Sequence, residues 1–393
     1  MADPVFPPRP PRDGALARFS FPTTIHFGAG ARHKVPDSVA AAGVKRPLVV
    51  TDRGVAALPM LGELTASLTA RGLAVATFSE IFGNPVESQV TAGVAAFKQH
   101  NADGIVGLGG GAALDVAKAI ALMVHHPGKL FDYEDDLPGA RPFDQEIPYW
   151  VAIPTTAGTG SEVGRSSVVS DDVTHLKKII FSPRLLAKEV FADPELTYAL
   201  PPSITASTGM DALTHCVEAF LAKNYHPICD GIALEGLRLS AKSLARAVAE
   251  PRDYDARSDM LMASMMGAIA FQKGLGLTHS CAHALGTVAD MHHGLANGVM
   301  IDYALAHNIG VAADRFRIMA QAAELPDTTP QGFLTWLAKL KSQVGIPANL
   351  RAAGVDASAL TRLVEVATAD ACHPNNPVPV TAQDFERIFR AAL

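Results

Sequence analysis

The chain has 393 residues, of which 48% are hydrophobic and 18% charged, enough for two domains and a large buried core in an ordinary globular protein. Its formal net charge of -6 gives no general attraction to phosphate backbones or anionic lipid, so neither nucleic acid nor a membrane surface is an expected partner. Cys216, Cys229, Cys281 and Cys372 lie far apart with no C-x-x-C, which reads as small buried side chains in a reducing compartment and excludes a disulfide frame.

In chain order, residues 1–18 are Pro-rich at their start and read as an extended N-terminal arm. The arm has no apolar signal segment, and no later run is long enough to span a bilayer, so a cytoplasmic location is expected. Over residues 19–200, apolar β-type runs alternate with helical stretches, the pattern of an α/β domain with a parallel sheet covered by helices. The runs are Pro47–Thr51, Ala74–Phe78, Gly104–Leu108, Tyr149–Pro154, Ser166–Ser170, Lys178–Phe181 and Glu189–Ala192. After Pro201-Pro202 the texture changes to long Ala/Leu/Met-rich segments around 204–222, 228–249, 256–271, 276–290 and 312–323, so residues 201–393 are expected to form an all-helical domain.

Three places in the first half carry chemistry. Asp52 ends the run Pro47–Thr51, where a carboxylate either accepts hydrogen bonds from a ribose diol or caps a turn. Gly109, Gly110 and Gly111 stand between a strand end and a helix start, where bare backbone and the first helical N–H groups suit a phosphate. A plain tight turn is the alternative, because Leu114 stands where a dinucleotide fingerprint would have its third glycine. Pro154–Glu162 then brings three threonines, a serine and two glycines just past a strand, at the edge where open α/β sheets bind ligands. Asn84-Pro85 reads as a turn and Lys177-Lys178 as a solvated pair.

The helical half carries the densest signal. Asp211 and His215, and again His279 and His283, are four apart, so each pair shares one helix face, and His292-His293 follows shortly after. Their surroundings are apolar, where several imidazoles and a carboxylate are costly unless paired or metal-bound. One Asp with three His is a sensible first shell for Fe²⁺ or Zn²⁺. The residues alone leave open which of His279 and His283, and which of His292 and His293, takes part. Gly267 and Ala270 beside Phe271 fit a compact apolar pocket or simple core packing equally.

Taken together, Gly109–Asp115, Pro154–Glu162, Gly209–His215, Gly276–Gly286 and His293–Asn297 resemble the iron-containing (group III) alcohol dehydrogenases, over roughly residues 20–390. The resemblance implies a Rossmann-like nucleotide-binding domain, an all-α metal-binding domain of the dehydroquinate synthase-like plan, and a cleft where NAD and substrate meet. It assigns Asp211, His215, His279 and His293 to a divalent metal, with Fe²⁺ the expected ion and Zn²⁺ the other candidate. His283 is left beside nicotinamide and substrate as the proton-handling residue. It gives Gly109, Gly110, Gly111 and Asp115 to the phosphates and neighbouring sugar, Thr155, Thr156 and Thr159 to the nicotinamide half, and Asn84 and Lys177 to further cofactor contacts. Asp52 matches the position that favours NAD over NADP. The chain departs from the family at Gly164, where Thr is usual.

The function so implied is an NAD-linked oxidation of a small primary alcohol or diol, or the reverse aldehyde reduction, in a homodimer or larger homo-oligomer. The alternative is a sugar-phosphate lyase resembling dehydroquinate synthase, which also pairs NAD with a metal. It needs several Lys and Arg to hold phosphate and carboxylate, and few stand near the ligand stretches.

Overall fold

Six short apolar runs, most of them rich in β-branched residues, build one parallel sheet in the computed structural model, which describes Phe21 and residues 23–135 and 137–393. The arm expected over residues 1–18 lies outside the described residues. The strands are β1 (Thr24–Phe27), β2 (Pro47–Asp52), β3 (Ala76–Ile81), β4 (Gly104–Gly109), β5 (Tyr149–Pro154), β6 (Ser166–Ser170), β7 (Lys177–Phe181) and β8 (Glu189–Ala192). The six-stranded order is β1-β8-β5-β4-β2-β3, every pairing parallel. Strand β4 is buried at every position, because helices cover both faces of such a sheet.

The helices of this half are α1 (Val35–Ala41), α2 (Arg53–Ala56), α3 (Pro59–Ala70), α4 (Glu87–His100) and α5 (Gly111–Met123). Val106 and Leu108 of β4 and Val151 and Ile153 of β5 alternate onto one face, where they pack with Val35, Val39, Leu64 and Leu68 of α1 and α3. The chain leaves β2 toward β3 on one side and returns to place β4 on the other. The crossover direction therefore reverses between β2 and β4, the kind of switch point where open α/β sheets take ligands.

From Ala199 to Leu393 the chain forms a second compact unit, which also includes Ala157–Thr159. It consists of α6 (Pro202–Leu221), α7 (Pro227–Ala249), α8 (Tyr254–Ala270), α9 (Leu277–Ala289), α10 (His293–Leu305), α11 (Ala313–Ala322), α12 (Pro330–Gln343), α13 (Leu360–Ala369) and α14 (Ala382–Ala392). Helix α6 is its axis: a proline starts it, and every residue from Thr205 to Leu221 is buried. Two glycines let neighbours approach it closely. A Cβ on Gly267 of α8 would stand 2.9 Å from His215 Cβ, and one on Gly294 of α10 would stand 2.4 Å from the Ser207 carbonyl oxygen. At the far end of α6 the Phe220 carbonyl accepts from Lys273 Nζ at 2.9 Å and from the Arg315 guanidinium, so two cations satisfy the C-terminus and its dipole.

The structure differs from the sequence reading in several elements. Ser166–Ser170 and Lys177–Phe181 pair antiparallel with each other in a separate two-stranded sheet. Six residues link them, too few for a parallel crossover, so a hairpin is the available solution. Strand β1 goes unread because four residues carry too little periodicity, and α10 escapes because its apolar residues run all round and give no stripe. Among the described residues no single helix is long and apolar enough to cross a membrane.

Candidate functional site

In the α/β unit, the parallel pairing brings the ends of β2, β4 and β5 to one edge. Asp52 is the last residue of β2 and the N-cap of α2, where its Oδ1 accepts from the Val55 N–H at 2.9 Å. The capping alternative is the one present, and the second oxygen, Oδ2, faces the β4 turn: a Cβ on Gly109 would stand 3.0 Å from it. Gly109 has φ 151°, a conformation that side chains rarely adopt. Gly110 is the N-cap of the 13-residue α5 without a side-chain cap for the helix's first N–H groups, and a Cβ there would stand 3.0 Å from Thr156. The Thr155 N–H donates to the Gly109 carbonyl at 3.0 Å and ties the two turns together.

Asn84 and Lys177 share one corner of this unit. The Ser170 N–H donates to the Pro85 carbonyl at 2.8 Å, and Ser170 is the register partner of Lys177 across the hairpin. Asp115 has its carboxylate committed within the protein: Oδ1 accepts from Ser161 Oγ at 2.6 Å and Oδ2 from the Val168 N–H at 3.1 Å. The buried Lys118 ammonium joins them, donating to Ser161 Oγ and the Ser166 carbonyl. Burial pushes the neighbouring Glu162 carboxyl up to about 7. At Gly164 a Cβ would meet only ordinary contacts, and nothing in the structure explains glycine there.

In the helical unit, Asp211, His215, His279 and His293 each turn one donor atom inward, and all four atoms lie within 4.8 Å of one another. Asp211 Oδ1 is 3.8 Å from His215 Nε2, 3.9 Å from His279 Nε2 and 3.5 Å from His293 Nε2. A tetrahedral centre with bonds of roughly 2.0–2.2 Å has donor separations of about 3.3–3.6 Å, and the three separations from Asp211 Oδ1 lie within a few tenths of an ångström of that range. Helix periodicity supplies the first pair and the close seating of α10 on α6 supplies His293. Burial drives the His215 imidazole down to about 4, which keeps it neutral with a lone pair to offer near pH 7.

The set is braced from behind. Glu218, one turn beyond His215 on α6, accepts from His279 Nδ1 at 2.7 Å and from the Gly276 N–H at 3.0 Å, so it both caps α9 and turns the His279 Nε2 lone pair into the cluster. Burial alone would raise its carboxyl, but the His279 hydrogen bond and charge and the α9 amides hold it below its usual range. Asn297 Nδ2 donates to Asp211 Oδ1 at 2.7 Å and stands 3.3 Å from both His279 Nε2 and His293 Nε2. Phe271 tilts against His215 with ring centroids 5.0 Å apart. Gly267 and Ala270 are core packing, the first against the back of His215.

His283 stands outside the four. Its ring stacks on His293 with centroids 5.3 Å apart, and its side chain keeps 22% exposure. Glu218 and Asp370 were not singled out from the sequence. For Glu218 a signal existed, since a carboxylate in an otherwise apolar buried helix must find a partner. Asp370 is 87 residues from the histidine it touches, and no local pattern marks it.

An uncapped glycine turn at the switch point of a parallel sheet suits a nucleotide, and a buried carboxylate with three converging imidazoles suits a divalent metal. Family models agree: one described as iron-containing alcohol dehydrogenase matches residues 22–194, and one described as the C-terminal region of the Fe-containing alcohol dehydrogenase family matches residues 205–393. The chain belongs to the iron-containing alcohol dehydrogenase family and is an alcohol dehydrogenase by class. It is 38% identical to a 4-hydroxybutyrate dehydrogenase of Cupriavidus necator, over 96% of this chain and all of that relative. It is 34% identical to an NAD-dependent methanol dehydrogenase of Bacillus methanolicus, again over 96% of this chain and all of the relative. Among solved structures, a 1,3-propanediol oxidoreductase superposes with a TM-score of 0.91 at 33% identity, covering 96% of this chain and all of the other. The lyase alternative gains no support from these relatives.

Proposed function

We propose that this enzyme interconverts a small primary alcohol or diol and its aldehyde with NAD, using a divalent metal held by Asp211, His215, His279 and His293. The observation that carries this reading is the convergence of four donor atoms within 4.8 Å, with the Glu218 carboxylate fixing one of them. Iron is the ion the family name points to, and zinc suits the same donors. When bound, the metal supplies Lewis acidity toward an alcohol oxygen, and NAD supplies the hydride acceptor. The carboxylate and three imidazoles hold the ion, and the packing of α8 and α10 on α6 fixes their spacing.

His283 handles the hydroxyl proton: it is half-buried, its Nε2 has no hydrogen-bond partner among the described residues, and it reaches solvent. In the α/β unit Gly109, Gly110, Gly111 and Asp115 take the phosphates and neighbouring sugar, with the Asp115 carboxylate oriented by Ser161 Oγ and the Val168 N–H. Thr155, Thr156 and Thr159 contact the nicotinamide half, while Asn84 and Lys177 make further cofactor contacts. Asp52 accepts from the ribose diol and repels a 2′-phosphate. The substrate class rests on the relatives, whose named substrates methanol, 1,3-propanediol and 4-hydroxybutyrate all end in a CH₂OH group. A cytoplasmic homodimer or larger homo-oligomer completes the reading.

The test is NADH formation across short primary alcohols, diols and ω-hydroxy acids, with secondary alcohols and a sugar phosphate as controls and NADP in parallel. Turnover confined to CH₂OH substrates with NAD supports the reading; none on any alcohol sinks it. In the same assay Asp52→Gly narrows the NAD over NADP preference by about tenfold or more, equivalent to roughly 1.4 kcal/mol of lost charge repulsion. Glycine replaces an N-cap carboxylate for only a few tenths of a kcal/mol, so folding is spared. An unchanged preference defeats the assignment of Asp52.

A further inference from the structure

We infer that Asp370 is a positioning residue that locks His283 in the Nδ1–H tautomer and so presents the Nε2 lone pair as the proton acceptor. This rests on the reading of His283 as the proton-handling group. Asp370 caps the C-terminal end of α13, and its Oδ2 is 2.7 Å from His283 Nδ1. Its other oxygen is spoken for: Oδ1 accepts from Ser280 Oγ at 2.7 Å and from the Cys372 N–H at 2.9 Å. Ser280 Oγ itself accepts from the His373 N–H at 2.9 Å, so its hydrogen is directed at Asp370. Burial alone would raise this carboxyl, but His283 and the two further donors hold it well below the usual carboxylate range. An ionised carboxylate only accepts hydrogen bonds, so the Nδ1 it faces must carry the proton. The same helix, α9, thus carries two imidazoles that are oriented alike: Glu218 takes Nδ1–H of His279 and Asp370 takes Nδ1–H of His283.

The arrangement makes Asp370→Asn a selective probe. The Cys372 N–H can only donate, so the amide oxygen of the variant stays on the Oδ1 side and its NH₂ group turns to His283. An NH₂ group donates to Nδ1, which forces the proton to Nε2 and inverts the tautomer. The measurement is a two-bond ¹H–¹⁵N correlation of the imidazoles in ¹⁵N-histidine-labelled protein, metal-free and loaded with one equivalent of Zn²⁺, His283 being assigned by loss of its signals in His283→Ala. Expected are an Nδ1–H pattern in the native chain and an Nε2–H pattern in Asp370→Asn, with kcat down about 100-fold or more and KM for the alcohol within about threefold. Metal content is unchanged, and Ser280→Ala keeps the native tautomer and loses less than about tenfold in kcat.

An Nε2–H pattern in the native chain, or an unaltered pattern in Asp370→Asn, overturns the inference. So does a second equivalent of Zn²⁺ that binds at His283 Nδ1, because His283, Asp370 and Cys372 also offer donor atoms within 4.8 Å of one another. Full turnover in His283→Ala refutes instead the reading of His283 on which the inference rests, and the tautomer spectra distinguish the two failures.

Discussion

Asp211→Ala is expected to purify without stoichiometric metal and to lose alcohol oxidation by about a thousandfold or more, the equivalent of several kcal/mol of Lewis-acid stabilisation. Asp211 is the one carboxylate among the four converging donors, and its Oδ1 lies 3.8 Å, 3.9 Å and 3.5 Å from the Nε2 atoms of His215, His279 and His293. Its loss leaves three imidazoles without a carboxylate, a poorer set for a divalent ion. The fold is expected to survive, because the group removed is a single side chain on a helix buried along its length, although Asn297 Nδ2 loses an acceptor at a cost of about 1–3 kcal/mol. Elemental analysis, far-ultraviolet circular dichroism and NADH formation on one preparation check this. Native metal content in the variant contradicts the role given to Asp211.

The second large effect is expected at His283. His283→Ala lowers kcat by about 100-fold or more while metal content stays native, since its imidazole is not among the four converging donors. Asp370 keeps Ser280 Oγ and the Cys372 N–H as hydrogen-bond donors in that variant, so little buried charge is stranded. The site keeps some exposure, and added imidazole is therefore expected to restore part of the lost rate. Metal lost together with His283 would move it into the ligand set.

These effects follow from features that were readable in the sequence to different degrees. The i, i+4 pairs Asp211/His215 and His279/His283 were legible because both partners fall within one helix, whose periodicity fixes their common face. That His293 converges on them while His292 does not depends on how α10 seats on α6, a tertiary fact set by Gly294 against Ser207. The family resemblance pointed to His293; helical spacing did not. Glu218 stood in plain view on the same helix as Asp211, and the cost of a buried charge was the missed signal. Asp370 was beyond reach, because its pairing with His283 joins the end of α13 to the middle of α9.

In the α/β half, the strands between 47 and 52, 104 and 109, and 149 and 154 were legible as continuous apolar runs of a doubly covered sheet. The hairpin β6-β7 read as two more parallel strands, since composition does not report direction; the short link between them did. From sequence Asp52 reads as a cap or a ribose contact, and the structure shows a capping side chain whose second oxygen faces the glycine turn.

The most direct measurement on the central claim, that turnover depends on a metal held by Asp211, His215, His279 and His293, is removal and replacement of that metal. Protein purified without oxygen is stripped with chelator, assayed with NAD and a short primary alcohol, then reloaded with one equivalent of Fe²⁺ or Zn²⁺ per chain beside Asp211→Ala treated identically. Activity that vanishes on stripping, returns with one of the ions at one equivalent, and does not return in Asp211→Ala is the expected result. Turnover that persists in the stripped protein, or one equivalent of metal restored to Asp211→Ala, contradicts the account.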